Sequence, residues 1–177
     1  MPLTSTETHS PSDNTLSAWY AIYTRHQHEK TVARILASKG FETLLPLYQS
    51  AHSWQDRTKM LCLPLFPCYV FIRGGLERRL DILTTPGIYA LVSNAGRPTA
   101  IPSAEIEAVQ RSVDRGAQIK PHPFVSAGKR VRILGGSLDG VQGILVRQGR
   151  DQKLVVSVEL LQRSVAIRVE GYDIELA

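Results

Sequence analysis

The period of hydrophobic and polar positions changes several times along this chain, and each change marks an element. Trp19-Tyr20-Ala21-Ile22-Tyr23 is aromatic and β-branched and predicts a strand. Thr24 with Gln27 three residues later is a capping-box pattern, and Val32, Ile35 and Leu36 then recur at helical spacing. Lys39 in the last turn and Gly40 just past it close a helix. Phe41 to Leu47 predicts a second strand ended near Pro46. The polar, basic stretch Ser50 to Lys59 predicts an extended hairpin, and Leu61 to Ile72 the next strand region. Leu76, Leu80 and Leu83 share a face of a short helix stopped by Pro86-Gly87, Ile88 to Val92 is a strand, and Ser103 caps a helix with the stripe Ile106, Val109, Val113 that ends at Gly116.

The order β-α-β-β-α-β followed by a helix predicts an α+β fold, a ferredoxin-like antiparallel sheet with helices packed on it. The stretch 117–124 holds two prolines and no apolar period, and reads as an interdomain linker. Beyond it, Val131/Ile133, Ile144/Val146, Val155/Val158 and Val165/Ile167/Val169 fall in short strands, with Arg130, Arg132, Arg168 and Glu170 at solvent-facing positions. That pattern predicts a small β-barrel. The expected division is a flexible tail over 1–17, a domain over 18–116, a linker over 117–124 and a barrel over 125–177.

Composition refines this picture modestly. A length of 177 residues, 43% hydrophobic and 21% charged, is ordinary for a globular chain and rules out a wholly disordered or collagen-like one. The net charge of +5 is spread over both domains, with no block of like charge. Met1 to Ser17 lacks the basic and apolar regions of a secretory signal, and the longest uncharged apolar run, Met60 to Ile72, is broken by Pro64 and Pro67. With two cysteines, Cys62 and Cys68, these features point to a reducing compartment, the cytoplasm, with no membrane contact.

Enzymatic chemistry finds little support. His26 and His28 do not share a helix face, no cysteine pair has zinc spacing, and neither a metal nor a cofactor is expected. Cys62 and Cys68 read as small hydrophobes in a strand, the alternative being a nucleophile. Gly135 to Gly140 is not a phosphate loop, because Val141-Gln142 stand where Lys and a hydroxyl residue belong. An enzyme is not expected.

Four segments, in order, resemble the NusG/RfaH family of transcription elongation factors. They are Trp19 to Thr24 with Glu29 in the following helix; Pro64-Leu65-Phe66-Pro67-Cys68-Tyr69-Val70-Phe71, similar to the family's FPGYVF strand; Thr85-Pro86-Gly87-Ile88 with Ile101 to Ile106; and Gly128 to Ile133 with Gly136, Leu138, Gly140 and Gly143, similar to a KOW motif. Cys68 departs from the usual Gly, a change that is tolerable if φ stays negative and that weakens the identity of local geometry there. Val158 to Val165 resembles the specialised, operon-linked antiterminators, where the housekeeping factor carries Phe-Gly-Arg and Thr-Pro. The N-terminal half resembles UpxY-type antiterminators of polysaccharide operons.

The resemblance implies a NusG N-terminal domain and an SH3-like KOW barrel. It implies docking on the clamp helices of RNA polymerase through Trp19, Tyr23, Phe66, Pro67, Tyr69 and Phe71, with Trp19 equally readable as core. Arg78 and Arg79 would face the opposite jaw or form a solvated charge pair. The chain lacks the His-Thr-Thr motif that RfaH has nearby. Arg25, His26 and Gln27, with Arg57 and Lys59 on the hairpin, would meet non-template DNA or nascent RNA. Gly136, Ser137, Leu138, Arg147, Arg150 and Lys153 would form the barrel's effector surface, for Rho, a small-subunit ribosomal protein or RNA, although the glycines also read as plain turn residues. The barrel is expected to stay a barrel, since Val155, Val156, Val158, Val165, Ile167 and Val169 favour strands. A monomeric, specialised antiterminator is the leading reading. The alternatives are a housekeeping factor assisting Rho and an RNA- or ribosome-binding KOW protein.

Overall fold

The computed structural model describes residues 17–54, 57–148 and 151–177. The tail 1–16 and Arg150 lie outside them, as does the side chain of Arg57. The chain opens with strand β1 (Trp19–Thr24), helix α1 (Glu29–Ser38) and strand β2 (Glu42–Leu44). Among the described residues, strands β3 (Leu47–Trp54) and β4 (Arg57–Pro64) pair only with each other and form the long hairpin expected around the basic segment. Strand β5 (Tyr69–Arg73), short helix α2 (Arg79–Leu83), strands β6 (Ile88–Leu91), β7 (Ser93–Asn94) and β8 (Arg97–Pro98) and helix α3 (Ser103–Asp114) follow.

The central sheet has the order β2-β5-β1-β6, and each pairing is antiparallel. Counting its strands in chain order, this is the 4-1-3-2 arrangement of a ferredoxin-like fold, with the β3–β4 hairpin inserted between the second and third. One face packs Tyr20, Ile22, Val70 and Ile72 against Val32 and Leu36 of α1 and Ile82 of α2. Both helix-ending glycines are as expected, Gly40 at φ +84° and Gly116 at φ +68°. The caps are not. Helix α1 begins at Glu29 with His28 before it, helix α3 begins at Ser103 with Pro102 before it, and neither start carries a side-chain cap.

The second sheet has the order β14-β10-β11-β12-β13-β9, built from β10 (Arg130–Leu134), β11 (Gln142–Gln148), β12 (Asp151–Val158), β13 (Arg163–Arg168) and β14 (Asp173–Leu176). Its sixth strand, β9 (Ile119–His122), corrects the reading of 117–124 as a linker. Ile119 pairs with Ile167 and His122 with Ser164. Strand β9 sits at the sheet edge, where Pro121 is tolerated, and buried Ile119 anchors it.

The expected alternation holds in β10, where Arg130, Arg132 and Leu134 are exposed while Val131 and Ile133 are buried. It fails in β12 and β13, where Leu154, Val155 and Val156, and Ser164 through Ile167, are all buried. A strand loses alternation when both faces are covered. Helix α3 contacts β12, and one apolar cluster joins Trp19, Phe66, Phe71, Ile106 and Val109 to Val131, Leu154, Val158 and Val165. Arg111 donates to the Asp139 carbonyl (3.0 Å), and the Glu159 N–H donates to the Glu105 carboxylate (3.2 Å). The two sheets therefore pack together with α3 between them.

Candidate functional site

The second face of the central sheet carries Trp19, Ala21 and Tyr23 of β1 beside Arg73, Phe71 and Tyr69 of β5, in that register. Along this face burial decreases. Trp19 (5% exposed), Phe66 (1%) and Phe71 (0%) belong to the shared core, with Phe66 set edge-on to Phe71 at 5.5 Å. The expected place of Phe66 and Phe71 in an exposed docking patch is corrected accordingly, and Trp19 takes its alternative, the core, because these rings pack in one cluster with residues of α3 and the second sheet. Tyr23 (42% exposed) emerges at the other end, with its ring centroid 5.6 Å from those of half-buried Tyr69 and exposed Tyr89. Tyr89 was not among the expected site residues. It stands on β6 next to Ala90, the partner of Tyr23, a cross-strand fact that no local pattern reveals. Burial pushes the Tyr69 phenol up, partly opposed by the Arg163 guanidinium at the start of β13. The second sheet thus reaches the edge of the tyrosine cluster.

Two turns frame the cluster. In Phe66-Pro67-Cys68-Tyr69 the Tyr69 N–H donates to the Phe66 carbonyl (3.1 Å), Pro67 is exposed at the second position, and Cys68 at the third has φ +68°. This is the pattern of a type II turn, whose third position demands positive φ and favours Gly. Cys68 therefore occupies a left-handed conformation, so the condition of a negative φ is not met. In Arg25-His26-Gln27-His28 the His28 N–H donates to the Arg25 carbonyl (3.0 Å) and Gln27 has φ +63°. Both turns are tied to the end of β1. The Thr24 N–H donates to the Cys68 carbonyl (2.8 Å), and the Arg25 N–H donates to the Gly87 carbonyl (2.7 Å).

The turns meet. His26 Nδ1 lies 3.8 Å from Cys68 Sγ, and the Cys68 N–H donates to the Glu29 Oε1 at 2.8 Å. Burial raises the Cys68 thiol, Glu29 raises it further, and Arg163 opposes them. Neither cysteine is the strand hydrophobe expected: Cys62 is exposed, and Cys68 lies in a turn.

The remaining expected residues are dispersed. Arg25, His26 and Gln27 are exposed together, while Lys59 is exposed on β4 of the hairpin. Arg78 is held in place by Asp81 (3.1 Å), by the Lys39 carbonyl (3.0 Å) and by the Phe41 ring beneath its guanidinium (4.4 Å). Its side chain remains partly exposed, and Arg79 beside it is exposed. On the second sheet Leu138 is buried and thus part of the core, which removes it from an effector surface. Gly136, Ser137 and Arg147 are exposed, Ser137 lies 2.9 Å from the Tyr172 hydroxyl, and Lys153 is half-buried. Among the described residues no helix is long and apolar enough to cross a membrane.

A family model described as transcription termination factor NusG matches residues 17–110, just over half of the chain. The chain is 24% identical over 170 residues to the transcription termination/antitermination protein NusG of Helicobacter pylori, covering 89% of this chain and 97% of that one. It is 25% identical over 172 residues to the protein of the same name from Lactococcus lactis, with 89% and 91% covered. Among solved structures, one described as "Domain interaction in Thermotoga maritima NusG" superposes with a TM-score of 0.55 at 19% identity, covering 90% of this chain and 97% of the other. That likeness supports the two-part α+β fold.

Proposed function

The chain belongs to the NusG family, and from that premise we propose that it is a specialised transcription antiterminator that docks on the clamp helices of RNA polymerase. The observation that carries this reading is the cluster of exposed Tyr23 and Tyr89 with half-buried Tyr69, with Pro67 at its edge. Aromatic side chains left open on a folded surface are the anchors from which interfaces draw most of their energy. Exposed Arg25, Gln27 and Lys59 would approach non-template DNA or nascent RNA, and the surface around Ser137, Arg147 and Lys153 would recruit Rho, a small-subunit ribosomal protein or RNA. No catalytic step is assigned, and the setting is the cytoplasm. The units are 18–116 and the sheet that follows, with β9 belonging to the latter.

The specialised subtype draws support from Val158 to Val165. This segment, whose sequence departs from the housekeeping pattern, forms the turn Glu159–Leu161 and brings Arg163 toward Cys68 and Tyr69. The second sheet lies over the rest of the same face, so docking and interdomain packing compete for neighbouring surface.

A pull-down with core RNA polymerase tests the reading. Tyr23→Ala combined with Tyr89→Ala is expected to keep the fold and lose capture, and unchanged capture would overturn the docking assignment. Terminator readthrough measured with and without Rho separates an antiterminator from a factor that assists Rho.

A further inference from the structure

Three side chains from separate parts of the chain converge beside the tyrosine cluster: His26 of the first turn, Glu29 at the start of α1 and Cys68 of the second turn. Their ligand atoms all lie within 4.8 Å of one another. We propose that they form a binding site for a thiophilic divalent metal ion of the zinc type. The inference does not rest on the polymerase reading.

Geometry and chemistry agree. With Zn–N about 2.0–2.1 Å and Zn–S about 2.3 Å, neighbouring donors of a tetrahedral ion lie roughly 3.4–3.6 Å apart. The separation of His26 Nδ1 and Cys68 Sγ is 3.8 Å, and with all three donors within 4.8 Å of one another the ion needs side-chain adjustments of at most about 1 Å. Imidazole, thiolate and carboxylate together suit zinc, whereas an all-oxygen site would suit magnesium or calcium.

The donors are also held. The Cys68 N–H donates to Glu29 Oε1, an orienting contact of the sort that supports metal ligands from the second layer. Glu29 is 4% exposed, which restricts its rotamers. The turn bearing Cys68 is clamped to β1 through Thr24. Cys68 keeps a conformation that a glycine would hold without strain, and strained residues of this kind cluster at functional sites. On binding, the Cys68 S–H bond breaks, the proton goes to solvent, the thiolate pair bonds the metal, and no oxidation state changes. Three protein ligands leave the fourth position open to water or to a side chain of a docked partner.

The test is titration of the reduced, metal-free full chain with cobalt(II), a spectroscopic substitute for zinc, followed by competition with zinc. The expected result is one equivalent of cobalt with tetrahedral visible bands and a sulfur-to-cobalt charge-transfer band. Cys68→Gly suits the turn and is expected to abolish the charge-transfer band and weaken zinc binding at least about a hundredfold. His26→Ala, at an exposed position, is expected to keep the charge-transfer band and weaken zinc about tenfold or more, while Cys62→Ser changes nothing. An octahedral spectrum without a sulfur band, or wild-type zinc affinity in both Cys68→Gly and His26→Ala, would overturn the site.

Discussion

The two faces of the central sheet are both apolar, yet they end differently. The face bearing Tyr20, Ile22, Val70 and Ile72 is sealed by its own helices, which follow their strands within a few residues. The face bearing Trp19, Ala21, Tyr23, Tyr69 and Phe71 is covered at one end by α3 and the second sheet, and open at the other. The first cover is local in sequence. The second is built from residues up to the far end of the chain. A strand with two apolar faces therefore announces that both will be covered, and leaves open whether the cover is the fold itself, a second domain or a partner.

The largest expected effect tests the covered end. Phe71→Ala removes a fully buried ring and should destabilise the protein by about 3–5 kcal/mol in urea unfolding. Ile22→Ala on the sealed face should cost about 2–5 kcal/mol. A biphasic unfolding curve for Phe71→Ala, beside a single transition for Ile22→Ala, would show that loss of the shared core lets the two sheets melt independently. At the open end Tyr89→Ala should leave stability within about 0.5 kcal/mol. It should nonetheless weaken polymerase binding by about 2 kcal/mol, roughly thirtyfold, in a titration with core enzyme. Cys68→Gly relieves a left-handed residue and should raise stability by about 1 kcal/mol by urea midpoint.

The smallest effect concerns the seam. Burial chiefly, and Glu159 secondarily, hold the Glu105 carboxyl above its ordinary range, against the Glu159 N–H and Arg130. A carboxyl raised on folding contributes stability below its unfolded value and loses it as pH rises through the raised one. The packing should weaken on going from acid toward neutrality, and Glu105→Gln should flatten that slope in the urea midpoint measured against pH.

Much of the first domain was legible because its elements are announced by period: the strand at Trp19, the α1 stripe, the hairpin and the α3 stripe all lie where pattern puts them. What failed depends on pairing at a distance. Pro121 argues against a strand until its neighbours are seen to pair with β13 at a sheet edge. Phe66 and Phe71 read as exposed anchors until α3 and the second sheet are placed over them. His26 and Cys68 are 42 residues apart, and only the two turns at the end of β1 bring them together.

Strand β9 has a consequence for motion. Asp114 ends α3 and Ile119 begins β9, so the two are five peptide steps apart, a reach of at most about 18 Å. A swing of the second sheet away from the tyrosine face within that tether turns about a short leash and keeps the sheet close by. Any larger excursion must first strip Ile119–His122 from β13 or unwind the end of α3, surrendering ladder bonds as it goes. The connection behaves as a latch with a fixed throw, and the distance over which the two halves can part is set by hydrogen bonds, not by slack chain.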